Sequence, residues 1–240
     1  MSGPALAARG VTRRFRNGAG VFDVDVELWA GRIVALVGLN GAGKTTMMRL
    51  LLGMLRPQHG EVMLGGVALD AVPSERWAGV GHLVEYPLAY PELSVHRNLH
   101  LSARLHGLAR ADRAVAAVIA EFALEAYADR RVRALSLGNR QRIGVAAALQ
   151  HDPSVIVLDE PTNALDPAGV IRLRESLLRR ADSGAAILVS SHHLDEVARI
   201  ADRIILMNGG RLIGELDPAT TEIERAFFEA VRLDDARSNS

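Results

Sequence analysis

The feature of this sequence that could most directly carry out chemistry is a glycine-rich segment that contains a lysine. Residues 38–45 read Gly-Leu-Asn-Gly-Ala-Gly-Lys-Thr and fit the pattern G-x-x-x-x-G-K-[ST]. They follow an apolar run of strand length and precede a helical pattern. Glycines let backbone N–H groups turn towards phosphate oxygens, and the amino-terminal end of a helix adds positive potential. The segment predicts a phosphate-binding loop, and a glycine-rich strand-to-helix turn without a ligand is the alternative.

This interpretation gives each loop residue a role. We expect Lys44 to bridge the β- and γ-phosphates of a nucleotide and the Thr45 hydroxyl to bind Mg²⁺. The other phosphate contacts would come from the remaining members of the loop, which are Gly38, Leu39, Asn40, Gly41, Ala42 and Gly43.

Lysine usage supports the special role of Lys44. The sequence contains 28 Lys and Arg residues, and Lys44 is the only lysine among them. A single lysine placed at random among these positions would fall at this one about one time in 28. Because a planar guanidinium fits a tight phosphate cradle poorly, the exception to arginine usage indicates where a compact ammonium is needed.

A pair of acids forms the second candidate group. Val155–Leu158 is an apolar run of four residues, and Asp159 and Glu160 follow it directly. In an open α/β sheet, ligands bind beyond the carboxyl ends of the strands, where these two side chains would lie. We expect Asp159 to hold Mg²⁺ through water and Glu160 to polarise an attacking water. A metal-free pair of hydrolytic carboxylates is the alternative, and no other segment supports it.

A third segment, Leu135–Arg142, reads Leu-Ser-Leu-Gly-Asn-Arg-Gln-Arg. Ser136 precedes a helical pattern and is a suitable N-cap residue. Its hydroxyl and the free N–H groups of the helix would form a second site for an anion. An ordinary capped helix is the alternative that this segment alone leaves open.

The elements that would position these groups alternate between strands and helices. Apolar runs predict parallel strands at 32–37, 79–84, 155–158, 185–190 and 203–207. Helical patterns occupy 44–53, 95–106, 113–122, 137–151, 167–181 and 194–201. The first ~30 residues and residues 60–69 predict short antiparallel strands joined by glycine-containing turns. Residues 86–150 indicate an all-helical insertion, and the polar end of the chain predicts a frayed tail.

Composition excludes several classes of protein. The 240 residues include 28 Lys and Arg, 28 Asp and Glu, and no cysteine. Equal charges provide no general attraction for nucleic acid or anionic lipid. The lack of cysteine excludes thiol catalysis and a disulfide scaffold. No apolar run approaches the ~20 residues of a membrane-spanning helix, and no signal peptide is apparent. We expect a soluble, cytoplasmic protein that binds no nucleic acid.

Three motifs follow one another along the chain: the phosphate-binding loop, the Ser136 segment and Asp159-Glu160-Pro161-Thr162. In this order they resemble the motifs of the ATP-binding cassette (ABC) ATPases, and the resemblance covers residues 5–216. The resemblance implies an α/β fold of the P-loop NTPase type, with a RecA-like core, an N-terminal antiparallel β subdomain and an inserted all-helical subdomain. It implies one nucleotide-binding domain over residues 1–240. The expected parts are a core with the β subdomain (5–85 and 151–216), a helical subdomain with the Ser136 segment (86–150) and a C-terminal tail (217–240).

The resemblance implies further contacts to ATP. Thr46 would add a contact to the phosphates. Phe15 stands where the family places an aromatic that stacks on adenine, and a core position is the alternative for this ring. His192 resembles the family's switch histidine, which contacts the γ-phosphate and orients water. His193 is adjacent, and His192 is preferred because it follows the small residues of the strand directly.

The resemblance also implies a dimer. ABC ATPases pair head to tail, so Ser136 and Gly138 of one subunit would bind the γ-phosphate of ATP held by the other. Both residues lie in Leu135–Gln141, which resembles the signature segment of the family, and Gln141 is its last residue. Asp166 lies in a stretch that resembles the loop crossing the dimer interface, and it would also cap the helix that begins at Pro167.

Two positions depart from the commonest family pattern. Leu137 replaces a glycine at a position that need not touch phosphate. Glu85 stands where most members carry a glutamine that reaches Mg²⁺, and a carboxylate can bind the same ion. Glu85 and the following segment, Tyr86–Ser94, resemble the bacterial subgroup involved in self-protection against bacitracin and lantibiotics, which implies export.

The resemblance therefore implies an ATP-hydrolysing subunit of an ABC exporter that uses ATP and Mg²⁺. A second and identical ATPase subunit and a separate membrane permease, docked around Glu85–Leu105, would be its partners at the inner face of the membrane. A non-transport ABC-type ATPase acting on a macromolecular complex is the alternative. A guanine-specific GTPase would need an Asn-Lys-x-Asp motif, which a chain with Lys44 as its only lysine lacks.

Overall fold

The structure, a computed structural model, describes residues 3–87 and 89–238. In these residues the strands are β1 (Leu6–Arg14), β2 (Gly20–Leu28), β3 (Ile33–Val37), β4 (His59–Leu64), β5 (Val67–Ala68), β6 (Val80–Leu83), β7 (Val155–Leu158), β8 (Ala186–Ser191), β9 (Arg203–Asn208) and β10 (Arg211–Leu216). The α-helices are α1 (Lys44–Leu51), α2 (Ser74–Trp77), α3 (Val95–Leu105), α4 (Ala111–Glu121), α5 (Leu137–Leu149), α6 (Pro167–Asp182), α7 (Leu194–Ala198) and α8 (Ile223–Ser238).

The predicted parallel strands are confirmed to within one residue at each end, because buried apolar runs define them. All five residues of β3 and all four of β7 are buried. Helix limits agree less closely, and the helix expected to reach residue 201 ends at Ala198. Sequence periodicity therefore located the elements, while their exact ends depend on caps and turns.

The first of two compact units comprises residues up to 72 and from 186 onwards. In one of its sheets, β1 pairs antiparallel with β2 and β4, and β4 pairs with β5. This confirms the expected antiparallel strands near the amino terminus. Elsewhere in the unit, β3 lies between β8 and β9 and is parallel to both, while β10 is antiparallel to β9. The first unit therefore carries the strand that leads into the phosphate-binding loop.

The second compact unit comprises residues 73–185. Its strands β6 and β7 are parallel, with Leu83 opposite Leu158. Helix α5 packs closely on β6, since a Cβ added at Gly81 would lie 2.1 Å from the Ala148 carbonyl oxygen. Among the described residues of 86–150, the only β-type pairing is a single bridge between Ser94 and Arg131. The expected all-helical character of this segment is confirmed.

The prediction of a frayed C-terminal tail is wrong for most of that segment. Residues 223–238 form helix α8. Ile223, Phe227 and Val231 recur every four residues, and all three are buried in a cluster with residues of β3, α7 and β9. An apolar stripe of this spacing stabilises a helix by packing, despite the polar residues between its members. The last two residues of the predicted tail, Asn239 and Ser240, lie outside the described residues.

The limits of the two units differ from those of the expected subdomains. Residues 73–85 and 151–185, assigned above to the core, form a compact unit together with the helical segment 86–150. Among residues 3–87 and 89–238, no helix combines the length and apolar character needed to cross a bilayer.

Candidate active site

The phosphate-binding loop begins where the buried strand β3 ends. Gly38 fits tightly there, because a Cβ at this position would lie 2.3 Å from the carbonyl oxygen of Met207. Gly41 and Gly43 have φ angles of 86° and 109°, a left-handed conformation that glycine adopts without strain. These glycines turn the chain sharply from β3 into α1, whose first residue is Lys44.

Lys44 is buried in this loop, with 6% of its surface exposed. Its ammonium donates a hydrogen bond of 2.7 Å to the Gly38 carbonyl oxygen and a longer one, of 3.4 Å, to that of Leu39. Thr45 and Thr46 follow in the first turn of α1 and are half-buried. The helix has no acidic residue in its first turn and no side-chain cap. Its amino-terminal N–H groups therefore keep the electrostatic preference for an anion.

His192 lies beside the start of the loop. Strand β8 is parallel to β3, with Ser191 opposite Val37, so His192 and Gly38 follow the ends of neighbouring strands. His192 is exposed, and its ring stacks at a tilt on that of His193, with 3.9 Å between the ring centroids. The structure thus brings this predicted residue to the phosphate-binding loop within the first unit.

Phe15 lies in the turn between β1 and β2. Its backbone N–H donates to Ala19 and its carbonyl accepts from Gly18, which closes the turn. The ring is half-buried, and the Arg13 guanidinium carbon lies 5.7 Å from its centroid. Phe15 is thus not one of the fully buried core residues, and its expected contact with adenine stays a prediction.

The acidic pair lies in the second unit, at the carboxyl end of β7. Asp159 is 7% exposed, and its backbone N–H donates to the Leu83 carbonyl at the end of β6 over 2.7 Å. Glu85 follows β6 by two residues and is exposed. The parallel pairing of β6 and β7 thus brings Glu85, Asp159 and Glu160 to the same edge.

Several residues of this unit have an unusual backbone. Glu85, Ala123, Asp152, Glu160 and Ala164 have φ angles of 68°, 50°, 48°, 46° and 64°. The left-handed region costs a residue other than glycine on the order of 1–3 kcal/mol, and such strain is often found at functional sites. Two of these five residues are predicted site residues: Glu85 as a metal ligand and Glu160 as the catalytic carboxylate.

The signature segment packs against the chain that follows β7. Ser136 caps α5 by accepting a hydrogen bond from the Asn139 N–H, as expected. A Cβ at Gly138 would lie 2.2 Å from the Ala164 carbonyl oxygen. The buried Gln141 side chain donates weakly to the carbonyl of Glu160, over 3.4 Å. Within the second unit, the structure therefore brings the signature segment and the catalytic-carboxylate segment together.

Asp166 caps α6 by accepting a hydrogen bond of 2.7 Å from the Gly169 N–H. It also accepts one of 3.0 Å from the Arg142 guanidinium. The Gly169 bond, with the nearby charge of Arg142, lowers the pKa of Asp166. Arg142 directly follows the signature segment, and local sequence patterns do not predict its contact with a residue 24 positions away.

The chemistry of the predicted donor groups suits a hard divalent cation. In the second unit, Asp159 and Glu85 offer two carboxylates at the same edge, and in the first unit Thr45 offers a hydroxyl; these are the kinds of oxygen ligand that Mg²⁺ prefers. In the part of the chain that the structure describes, no three His, Asp or Glu side chains form a metal-binding group. Two carboxylates at one edge suit an ion that keeps water and substrate phosphates among its ligands.

The sequence profile of the ABC transporter family matches residues 21–163, and the chain belongs to this family. It is therefore an ABC ATPase, the subunit that binds and hydrolyses ATP. The uncharacterized ABC transporter ATP-binding protein YdbJ of Bacillus subtilis (strain 168) is 34% identical over 95% of this chain and 75% of its own length. The bacitracin transport ATP-binding protein BcrA of Bacillus licheniformis is 32% identical over 86% of this chain and 67% of its own length.

A solved ATP-binding subunit of an ABC transporter has the same fold. Its TM-score is 0.82 at 28% identity, and the match covers 98% of both chains. Together with the family profile, this likeness confirms the expected fold class and the expected resemblance to the bacitracin type. The ribose import ATP-binding protein RbsA 1 of Streptomyces coelicolor is also similar, with 36% identity over 88% of this chain and 44% of its own length. The relatives of this chain thus include a subunit named for import.

Proposed function

We propose that this chain energises export as one of two identical ATPase subunits bound to a separate membrane permease. ATP closes the two subunits head to tail, and hydrolysis releases them. The change between the closed and open dimer moves the permease between its two accessible states. The subunits would act at the inner, cytoplasmic face of the membrane.

The site residues act as follows in this proposal. The backbone from Gly38 to Gly43, with Lys44, Thr45 and Thr46, holds the phosphates, and Phe15 stacks on adenine. Thr45, Asp159 and Glu85 are the residues that would hold Mg²⁺, which would neutralise charge at the phosphates. Glu160 takes up the proton of the attacking water, and His192 orients that water against the γ-phosphate. The exposed position of His192 at the end of β8 supports its contact with a ligand.

One observation carries the two-subunit proposal. The amino-terminal end of α5 is suited to an anion, because the helix has no acid in its first turn and Ser136 caps it. Leu137, beside that cap, is 66% exposed. Gly138 and Gln141 pack against the segment that leads to Asp166, so the cap and the expected interface loop lie side by side. Such an arrangement is suited to bind the γ-phosphate held by another subunit.

Cysteine cross-linking can test this arrangement, because the chain contains no cysteine of its own. One preparation would carry Leu39→Cys in the phosphate-binding loop, and a second would carry Leu137→Cys beside the signature cap. In a Glu160→Gln background, a short bis-maleimide should join the two variants only when ATP is present. Leu105→Cys serves as the control, because Leu105 is also accessible but lies on the expected permease surface. Joining of two Leu39→Cys chains instead would indicate a head-to-head dimer.

A permease partner is supported by the surface between Glu85 and Leu105. Tyr86 and Leu105 are each 79% exposed, and Tyr90 is also exposed. Leu88, in the same stretch, lies outside the described residues. Large apolar side chains this accessible are typical of a surface that another protein covers. Export is supported by the Glu85 segment, because the subgroup that this segment resembles implies export. If a neighbouring gene encodes a six-helix membrane protein, its co-purification with this chain and ATP-dependent uptake of solute into inverted vesicles that contain both would test the two points.

A further inference from the structure

We propose that Asn208 is a positioning residue for the ATP site, through which the C-terminal helix α8 holds the phosphate-binding loop in place. The inference rests on the role of Gly38–Thr45 in binding ATP. It adds a residue and an element that no motif assigns to the reaction.

Asn208 is the last residue of β9 and is clamped by α8. Its side-chain nitrogen donates one hydrogen bond to Asp234 and another to Asp235, each of 2.8 Å. A primary amide has two N–H donors, so α8 occupies both. Bonds to ionised acceptors are stronger than neutral ones. The end of β9 is therefore fixed to one turn of α8.

The two residues after Asn208 form a tight turn that contacts the loop. Gly209 and Gly210 have φ angles of 52° and 80°, and Asn208 pairs with Arg211 across them. Both positions of such a two-residue hairpin turn require positive φ. The Gly210 N–H donates over 2.9 Å to the carbonyl oxygen of Ala42, which lies within the phosphate-binding loop.

The residue before Asn208 also contacts the loop. The Met207 carbonyl lies against Gly38, and the Met207 methyl carbon would be 2.8 Å from a Cβ added at Gly43. Residues on both sides of Asn208 thus touch the first, fifth and sixth positions of the loop. A shift of Asn208 would be transmitted to the backbone that binds phosphate.

Helix α8 is suited to act as a fixed support. Its buried residues Phe227 and Val231 belong to the same cluster as Val37, the residue immediately before the loop, and Leu206 of β9. Close-packed interiors transmit displacement instead of absorbing it. The clamp therefore joins two elements that share one core.

The test compares variants that remove the clamp with one that keeps its hydrogen bonds. Asn208→Leu removes both donors at similar volume, and we expect the KM for ATP and the Kd of ADP to rise roughly tenfold with a smaller change in kcat. Asp234→Ala combined with Asp235→Ala should have the same effect. Asp234→Asn combined with Asp235→Asn keeps two carbonyl acceptors, and it should restore most of the affinity. Glu229→Gln, at an exposed acid of the same helix, is the control.

A purely structural role predicts a different result. In that case Asn208→Leu would lower the Tm, while the KM for ATP measured well below the Tm would equal that of the parent protein. That outcome would overturn the proposal, as would a failure of the double alanine variant to weaken ATP binding. The double variant also covers the case in which Asn208→Leu does not fold. A parent protein that fails to bind ATP would instead contradict the role of the phosphate-binding loop itself.

Discussion

The ammonium of Lys44 donates a hydrogen bond of 2.7 Å to the carbonyl oxygen of Gly38, the first residue of its own loop. A guanidinium has a longer reach and a planar fork, so it cannot occupy the same space without displacing the loop. We expect Lys44→Arg, like Lys44→Ala, to reduce hydrolysis by about a hundredfold or more. Phosphate-release assays at saturating ATP would measure the loss. Full activity of the arginine variant would contradict the argument from lysine usage.

Glu160→Gln should separate binding from turnover. Glutamine has the same size as glutamate and can adopt the same left-handed backbone conformation, but its amide cannot accept a proton from water. We expect hydrolysis to fall roughly a hundred- to ten-thousandfold while ATP still binds. Light scattering with ATP should then detect a stable dimer. A variant that stays monomeric under saturating ATP would argue against a composite site.

Gly138→Ala tests the contact between the signature segment and the loop after β7. Alanine ordinarily favours a helix over glycine by about 1 kcal/mol. Here its Cβ would lie 2.2 Å from the Ala164 carbonyl oxygen, so one of the two segments must move. Since a misplacement near 1 Å can cost about a hundredfold in rate, we expect a large loss of turnover.

The control for this change is Gly3→Ala, because a Cβ at Gly3 meets nothing within 4 Å. ATPase rates and melting temperatures of both variants would be compared with those of the parent. Unchanged turnover in Gly138→Ala would mean that hydrolysis does not depend on the close contact between the signature segment and the loop after β7.

Glu85→Gln should retain Mg²⁺-dependent hydrolysis. The amide oxygen can still bind the cation, and the backbone φ of 68° is equally accessible to both residues. We expect a modest rise in the Mg²⁺ concentration needed for half-maximal activity, because one negative charge is lost. Titration of ATPase activity with MgCl₂ would measure it, and complete loss of activity would show that the acid has a distinct role.

Stability should fall in mild acid because of a stacked histidine pair in the second unit. The rings of His106 and His151 lie 3.8 Å apart, and His151 contacts the Val80 carbonyl. Burial, followed by the positive charge of His106, lowers the pKa of His151 to about 4. His82 and Arg180 add smaller effects of the same sign.

The direction of this pH dependence follows from the number of protons that the folded and unfolded chains bind. The unfolded chain, with a histidine pKa near 6.5, binds more protons than the folded chain between about pH 6.5 and pH 4. The contribution of His151 is therefore present above pH 6.5 and is lost as the pH falls through this window. Urea unfolding at several pH values would measure the slope. His106→Phe should make it shallower, and an identical slope in that variant would exclude the pair as its source.

The sequence predicted the strands and helices that carry the motifs better than it predicted the contacts that hold them. Motif spacing placed Lys44, Asp159 and Ser136 on the correct elements, because each motif joins a strand or a helix of fixed type. The sequence did not predict that α8 packs on the core. The acidic residues around Asp234 make the end of the chain look polar and hide the apolar stripe that begins at Ile223. The contact of Gly210 with Ala42 joins residues that are far apart in the chain. Hydrophobic periodicity and short motifs describe neighbouring residues, so they do not predict such a contact.

The buried lysine has a further practical consequence. Lys44 carries the only side-chain amine in the 240 residues, so reagents that acylate primary amines can modify the side chains of this protein at one place. Because the ammonium is enclosed by its loop, acylation requires the loop to open. The rate of labelling at Lys44, followed by mass spectrometry, would therefore measure loop opening directly, and bound nucleotide should suppress it.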